Sequence, residues 1–337
     1  MLSGQKVIVV IPAYNVEDQI EKTIEEIPEF VDTIIVVEDN STDNTLEKIQ
    51  AIESDRVVIE RTERNSGVGG ATTKGLAAGL RMGGDLFVKV DGDGQMDPAR
   101  MKDLLMPLLN GFDYAKGNRF LHTEELKEMP TVRLFGNYVL TFMTKLASGY
   151  WDIFDPQNGY LAIKRSALEA IPLENLHKRY FFENDLLVNL NINGCRVCDI
   201  RMPARYGDEE SSLKIWKTAL TFPVLLFSRF LGRIYHKHIL RDFAEEGLFY
   251  IVGLLLMAFG TLFGSYHWVL SILSGTPATT GTVMISVLPI ILGFQLFLQA
   301  IVLEIQGMKK IPDRHDYNRD TAGLDTEQVS RRSSMAG

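Results

Sequence analysis

The sequence predicts an α/β domain with a mostly parallel sheet, followed by interfacial helices and two transmembrane helices. Three observations predict it. Apolar, β-branched runs alternate with helical patterns through residues 6 to 90, a polar cluster follows several of these runs, and two long uncharged stretches lie near the C-terminal end. The 337 residues suffice for about two structural units. Lys and Arg total 35 against 43 Asp and Glu, and a formal charge of −8 argues against a general nucleic-acid binder. Two cysteines, Cys195 and Cys198, cannot build a disulfide framework, and with no second ligand pair they do not make a zinc site.

Residues 6 to 11 (KVIVVI) read as a strand, and Val16, Ile20, Ile24 and Ile27 give the following helix its apolar stripe. The run TIIVVEDNSTDNTLEKI joins a second strand, ending near Val37, to a helix capped in the Ser41–Asn44 region. DRVVIE is a third strand, Asn65 to Leu80 a glycine-rich entry into a helix, and residues 85 to 90 (DLFVKV) a fourth strand running into DGDGQMDP. In such sheets ligands lie beyond the carboxyl ends of the strands. PAYNVE, EDNSTD and DGDGQ all fall there.

Gly247–Leu273 and Thr282–Leu303 carry no formal charge, and at 1.5 Å per residue they span about 40 and 33 Å, enough for a hydrocarbon layer about 30 Å thick. Basic residues precede the first stretch and follow the second, while the link Ser274–Gly281 has none, so both ends are expected in the cytoplasm. Trp216, Phe222, Leu226, Phe227 and Phe230 alternate with basic residues in a segment expected to lie at the membrane interface and to break near Pro223. The expected organisation is a cytoplasmic domain over residues 1–212, juxtamembrane amphipathic helices over 213–242, a two-span membrane region over 243–305 and a disordered cytoplasmic tail over 306–337. His236 and His238 diverge on a helix and read as interfacial rather than ligating.

Asp91 and Asp93, two apart in a glycine-containing loop, can converge on one hard cation, with the Gln95 carbonyl oxygen as a further ligand; Mg²⁺ or Mn²⁺ would bridge phosphate oxygens there. Asp39 could accept hydrogen bonds from a base or ribose, although a helix N-cap is the competing reading. NSGVGGATTKG, which contains Gly69, offers backbone amides to phosphate but matches neither a Walker nor a dinucleotide pattern. Arg119, Arg133, Arg201, Arg205 and Lys214 supply the positive charge that two phosphate-bearing reactants need. Glu183 shares a helix face with Leu187 and Leu190 and is the candidate base or electrostatic partner. Asp185 is turned about 200° away and reads as favourable charge at a helix N-terminus.

IPAYNVE, VVEDNSTDNT, NSGVGGA, DGDGQMDP, GNRF, DPQNGYLAIK, FFENDLL and PARYGDEESSLK together resemble the family 2 glycosyltransferases. Within that family the chain is most similar to polyprenyl-phosphate sugar transferases of the dolichyl-phosphate mannose synthase and bacterial undecaprenyl-phosphate glucosyltransferase type. The resemblance implies a GT-A nucleotide-sugar-binding fold and inverting transfer from a UDP- or GDP-sugar to polyprenyl phosphate. It implies that Pro12, Tyr14, Glu17 and Asp39 contact the nucleotide, that Asp91, Asp93 and Gln95 handle metal and diphosphate, and that Gln157 and Gly159 shape the sugar pocket. Arg119, Arg133 and Arg205 would hold phosphates, and Glu183 falls at the catalytic carboxylate. Glu38 stands where a second Asp is usual, and Val68 replaces a common lysine. The resemblance also allows a homo-oligomer. Two alternatives stay open: a glycan or diphosphate-linked oligosaccharide acceptor, which would need Glu183 as base, and a non-enzymatic sugar-lipid translocator or nucleotide-sugar sensor.

Overall fold

The computed structural model describes residues 1–119, 131–202, 215–241 and 244–307. Among these residues seven strands form one sheet in the order β3-β2-β1-β4-β6-β5-β7. They are β1 (Val7–Ala13), β2 (Thr33–Glu38), β3 (Val57–Arg61), β4 (Leu86–Lys89), β5 (Tyr114–Asn118), β6 (Leu161–Lys164) and β7 (Val197–Arg201). All neighbours pair in parallel except β6, which is antiparallel to both β4 and β5. Strands β1, β2 and β4 are buried almost throughout, as their continuous Val/Ile/Leu/Phe runs require of a sheet covered on both faces.

Helices α1 (Ile20–Glu25), α2 (Thr45–Gln50), α3 (Val68–Arg81) and α4 (Met101–Leu109) follow β1 to β4 in turn. The order reverses between β2–β1 and β1–β4, so the loops after β1 and β4 open at a switch point, the place where open α/β sheets bind ligands. Helix α5 (Thr131–Ser148) follows β5, a short α6 (Arg165–Glu169) follows β6, and α7 (Phe182–Ile192) precedes β7. Gly75 and Gly79 let α3 lie directly on the sheet, where an added Cβ would meet Val10, Val37 and Phe87.

The described residues fall into two compact units that divide between Phe230 and Leu231. The division lies inside the segment expected as interfacial helices, and α8 (Ile215–Arg233) explains why. Its Phe222, Leu226 and Phe230 are buried, with the Phe222 ring 5.3 Å from that of Phe181. The expected break near Pro223 does not occur. Proline removes one backbone donor, and burial of the flanking apolar side chains outweighs that local loss. Beyond Arg233 the chain continues as a π-helix, Ile234–Arg241.

In the second unit α9 (Glu245–Ser274) and α10 (Thr280–Gly307) form a hairpin. Their mean hydropathies are 2.0 and 2.2, yet only 22% and 17% of their apolar windows are buried, so most of this surface faces outward. A helix that is apolar all round and not covered by protein is a membrane element. The two helices meet through small residues, as membrane helices do. A Cβ on Gly293 would lie 2.6 Å from the Gly253 carbonyl oxygen, and one on Gly253 would lie 2.8 Å from that of Gly293. Gly293→Leu is therefore expected to wedge the hairpin apart and cost about 1–3 kcal/mol, read as a lower unfolding midpoint in detergent. An unchanged midpoint would show that the helices do not cross here.

At the end of the hairpin, buried Arg233 pairs with Glu304, whose other oxygen accepts the Tyr250 hydroxyl at 3.0 Å. The two histidines diverge as expected, but only His236 is exposed; His238 is buried with its Nε2 4.0 Å from Glu304 rather than interfacial, because the hairpin covers it.

Candidate active site

The loops after β1 and β2 are laced together. Asn15, at φ +52°, accepts the Thr42 amide at 2.9 Å, and Glu17 accepts the Asn44 amide at 3.0 Å and its side-chain amide at 2.8 Å. Pro12 is buried at the end of β1 beside Val37, and Tyr14 is 46% exposed next to it. Glu38 is buried and accepts from the Ser41 amide and Arg61.

Asp39 organises the glycine-rich turn. Its Oδ1 accepts the Thr62 hydroxyl at 2.7 Å and the Ser66 amide at 2.8 Å, and its Oδ2 accepts the Gly67 amide at 2.8 Å. The carboxylate ties these protein donors together and does not cap α2, whose N-cap is Asn44. Gly69 is closely packed. A Cβ there would lie 2.7 Å from that of Phe182, and Gly70 donates its amide to the Lys178 carbonyl at 2.9 Å. The turn lacks side chains so that the 177–182 segment can pack on it, and Gly69 is buried there.

Asp91, Gln157, Gly159 and Glu183 line one cavity of about 130 Å³, with Val68, Tyr180, Phe222 and Lys89 completing its wall. Lys89 is the residue the sequence reading missed. Side chains alternate along a strand, so Lys89 leaves β4 on the same face as Phe87, toward the helices. Its ammonium, 1% exposed, lies 2.7 Å from Asp91 Oδ1 and 3.3 Å from Glu183 Oε1. The Gly159 carbonyl lies 3.4 Å from the same ammonium. Burial pushes the Glu183 carboxyl up, and Lys89 opposes this while Asp91 adds to it. Burial would lower Lys89, but the charges of Asp91 and Glu183 hold it above its ordinary value. The Gln157 side-chain nitrogen is buried and finds no hydrogen-bond partner among the described residues, leaving a donor for a ligand.

Asp93 and Gln95 occupy the loop beyond Asp91, where Gly94 takes φ +71° and Asp93 Oδ1 accepts the Gln95 amide at 3.1 Å. Among the described residues no three His, Cys, Asp or Glu side chains cluster into a self-sufficient metal site. Two loop carboxylates with no soft ligand nonetheless suit Mg²⁺ or Mn²⁺, which complete their shells with water and the phosphates of a substrate. Gly159 leaves space above Asp91 that a Cβ would fill, since it would stand 2.6 Å from Asp91 Oδ2.

Arg119, expected to hold phosphate, makes a two-pronged pair with Asp155 at 2.7 and 2.9 Å. Burial would raise the Asp155 carboxyl, but hydrogen bonds and charge from Arg119 hold it below the usual range. Asp185 departs from expectation as well. It is buried, accepts the His177 amide at 2.8 Å and pairs with Arg229 at 2.8 Å, because α7 is covered on more than its Glu183 face. Phe222, expected at the membrane interface, lines the cavity. Arg133 lies on α5, and its side chain, like Arg205, Lys214 and the tail from residue 308, is outside the described residues.

Residues 8–171 match the model of the glycosyl transferase family 2. Over 223 residues, 61% of this chain and 88% of the relative, the sequence is 30% identical to a UDP-N-acetylglucosamine–dolichyl-phosphate N-acetylglucosaminyltransferase of Methanococcus voltae. The chain belongs to glycosyl transferase family 2. This glycosyltransferase is also 29% identical to a polyprenol monophosphomannose synthase of Mycolicibacterium smegmatis, over 61% of its own length and 79% of the relative. Its fold is that of a glucosyl-3-phosphoglycerate synthase of Mycobacterium tuberculosis, solved with Mn²⁺, UDP-glucose and phosphoglyceric acid. The TM-score is 0.51 at 22% identity, covering 68% of this chain and 80% of that one. The sheet is thus of the GT-A type, and family membership sets aside the translocator and sensor alternatives.

Proposed function

We propose that this glycosyltransferase moves one sugar from a UDP- or GDP-activated donor to the phosphate of a polyprenyl lipid on the cytoplasmic face of a membrane. The observation that carries this reading is the union, in one chain, of a transferase cavity with a hairpin whose apolar surface is left uncovered. The named functions of the M. voltae and M. smegmatis relatives support a polyprenyl acceptor.

In the transfer an acceptor phosphate oxygen forms a bond to the anomeric carbon from the face opposite the donor diphosphate. The anomeric carbon–oxygen bond breaks, and its electron pair leaves with the nucleoside diphosphate. Asp91 and Asp93, with Gln95 beside them, would hold Mg²⁺ or Mn²⁺, which supplies electrostatic stabilisation to the departing diphosphate. Pro12, Tyr14 and Glu17 border the nucleotide side of the cleft, and Gln157 offers its free donor to the sugar.

A lipid phosphate is already anionic, so the reaction needs cationic clamps more than a base. Arg133, Arg205 and Lys214 are the residues proposed for that task. Arg133→Ala is expected to raise the KM for polyprenyl phosphate about tenfold or more, with a far smaller effect on donor KM. Equal use of the acceptor by the variant would remove Arg133 from the phosphate site. A glycan hydroxyl acceptor is the second reading, favoured by the raised Glu183 carboxyl, which suits a base. Release of nucleoside diphosphate separates the two: it should depend on added polyprenyl phosphate, whereas dependence on a glycan alone would select the second.

A further inference from the structure

Lys89 is anomalous in its strand. Leu86, Phe87 and Val88 are buried apolar residues, and an apolar residue would complete the run. Burying an ammonium costs several kcal/mol unless opposing charge is fixed around it. Here the opposing charge comes from two separate elements, Asp91 in the loop after β4 and Glu183 in the first turn of α7. The Gly159 carbonyl, from the segment before β6, is the third neighbour. One side chain therefore meets all three segments that bring polar groups to the cavity.

We propose that Lys89 is a positioning residue for sugar transfer, its ammonium holding Asp91 and Glu183 as a fixed pair at the floor of the cavity. The inference rests on reading this cavity as the sugar site and Glu183 as a group that acts on the sugar or acceptor. It has two consequences. Asp91 is restrained from closing on a cation by itself, so cation binding depends on Asp93 and on the donor diphosphate. Glu183 is held in one place and acts from there during transfer.

The test uses the full chain in detergent, with Lys89→Met, Glu183→Gln, the double variant and Lys89→Arg. Mn²⁺ affinity is measured by calorimetry without donor or acceptor. Lys89→Met should bind Mn²⁺ roughly tenfold more tightly, because Asp91 loses its ammonium partner, and Lys89→Arg should stay within about threefold of the parent. In turnover, Lys89→Met should lower kcat about a hundredfold with donor KM changed less than about threefold. On the Glu183→Gln background the same substitution should cost less than about threefold, since its effect runs through Glu183. An equal loss on both backgrounds, an effect confined to KM, or unchanged Mn²⁺ affinity in Lys89→Met would overturn the proposal. Should Lys89→Met fail to fold, the double variant against Glu183→Gln and the Lys89→Arg titration decide the matter by the same limits. A parent protein that transfers nothing to polyprenyl phosphate would refute the proposed function instead, and the Mn²⁺ titration is independent of the acceptor.

Discussion

Asp93→Ala is expected to reduce sugar transfer by about a thousandfold or more while leaving the fold intact. Metal stabilisation of a departing diphosphate amounts to several kcal/mol, and each 1.4 kcal/mol is about a factor of ten in rate. Asp93 sits in a loop turned by Gly94 and is neither part of the sheet nor of the buried core. Its Oδ1 accepts the Gln95 amide within the same loop. The substitution should leave the unfolding midpoint within the scatter of ordinary surface changes, roughly 0.5 kcal/mol. Initial rates across a Mn²⁺ titration read the effect, and turnover within tenfold of the parent at saturating metal would remove Asp93 from the metal site.

Gly159→Ala should be almost as severe for a different reason. The added methyl group would stand 2.6 Å from Asp91 Oδ2 and 3.2 Å from Met96 Cε, and it would also collide with the Lys89 ammonium. Lys89 is buried and Asp91 is tied to it, so these two can retreat only together. Overpacking of this kind costs about 1–3 kcal/mol in stability. Displacing a donor-binding floor by even about 1 Å costs on the order of a hundredfold in rate. The measurement is kcat/KM for the donor together with the unfolding midpoint. A Gly159→Ala enzyme of normal specificity would show that the sugar binds elsewhere.

The parts of the molecule visible in the sequence were those carried by periodicity. The β-branched runs of β1 and β2, the loop at Asp91 and Asp93, and both membrane helices follow from local pattern alone. Glu183 was also readable, since its spacing to Leu187 and Leu190 placed it inward. What was not visible depends on partners distant in the chain. Asp185 has the same helix-start signature as any dipole-complementing acid, and its pairing with Arg229, 44 residues away, has no local signal. Arg119 looked like a phosphate ligand because Asp155, 36 residues on, had no pattern linking the two. The packing of Gly69 against the 177–182 segment likewise leaves no trace in local sequence. Lys89 did leave a signal: a lone lysine ending an apolar strand must meet buried countercharge.

The most direct measurement is mass spectrometry of lipids after the purified protein meets Mg²⁺ or Mn²⁺, polyprenyl phosphate and a panel of UDP- and GDP-sugars. A single new species, polyprenyl phosphate bearing one sugar, is the predicted result. Nucleoside diphosphate release with the polyprenyl phosphate recovered unmodified, the sugar passing to water, would contradict the account.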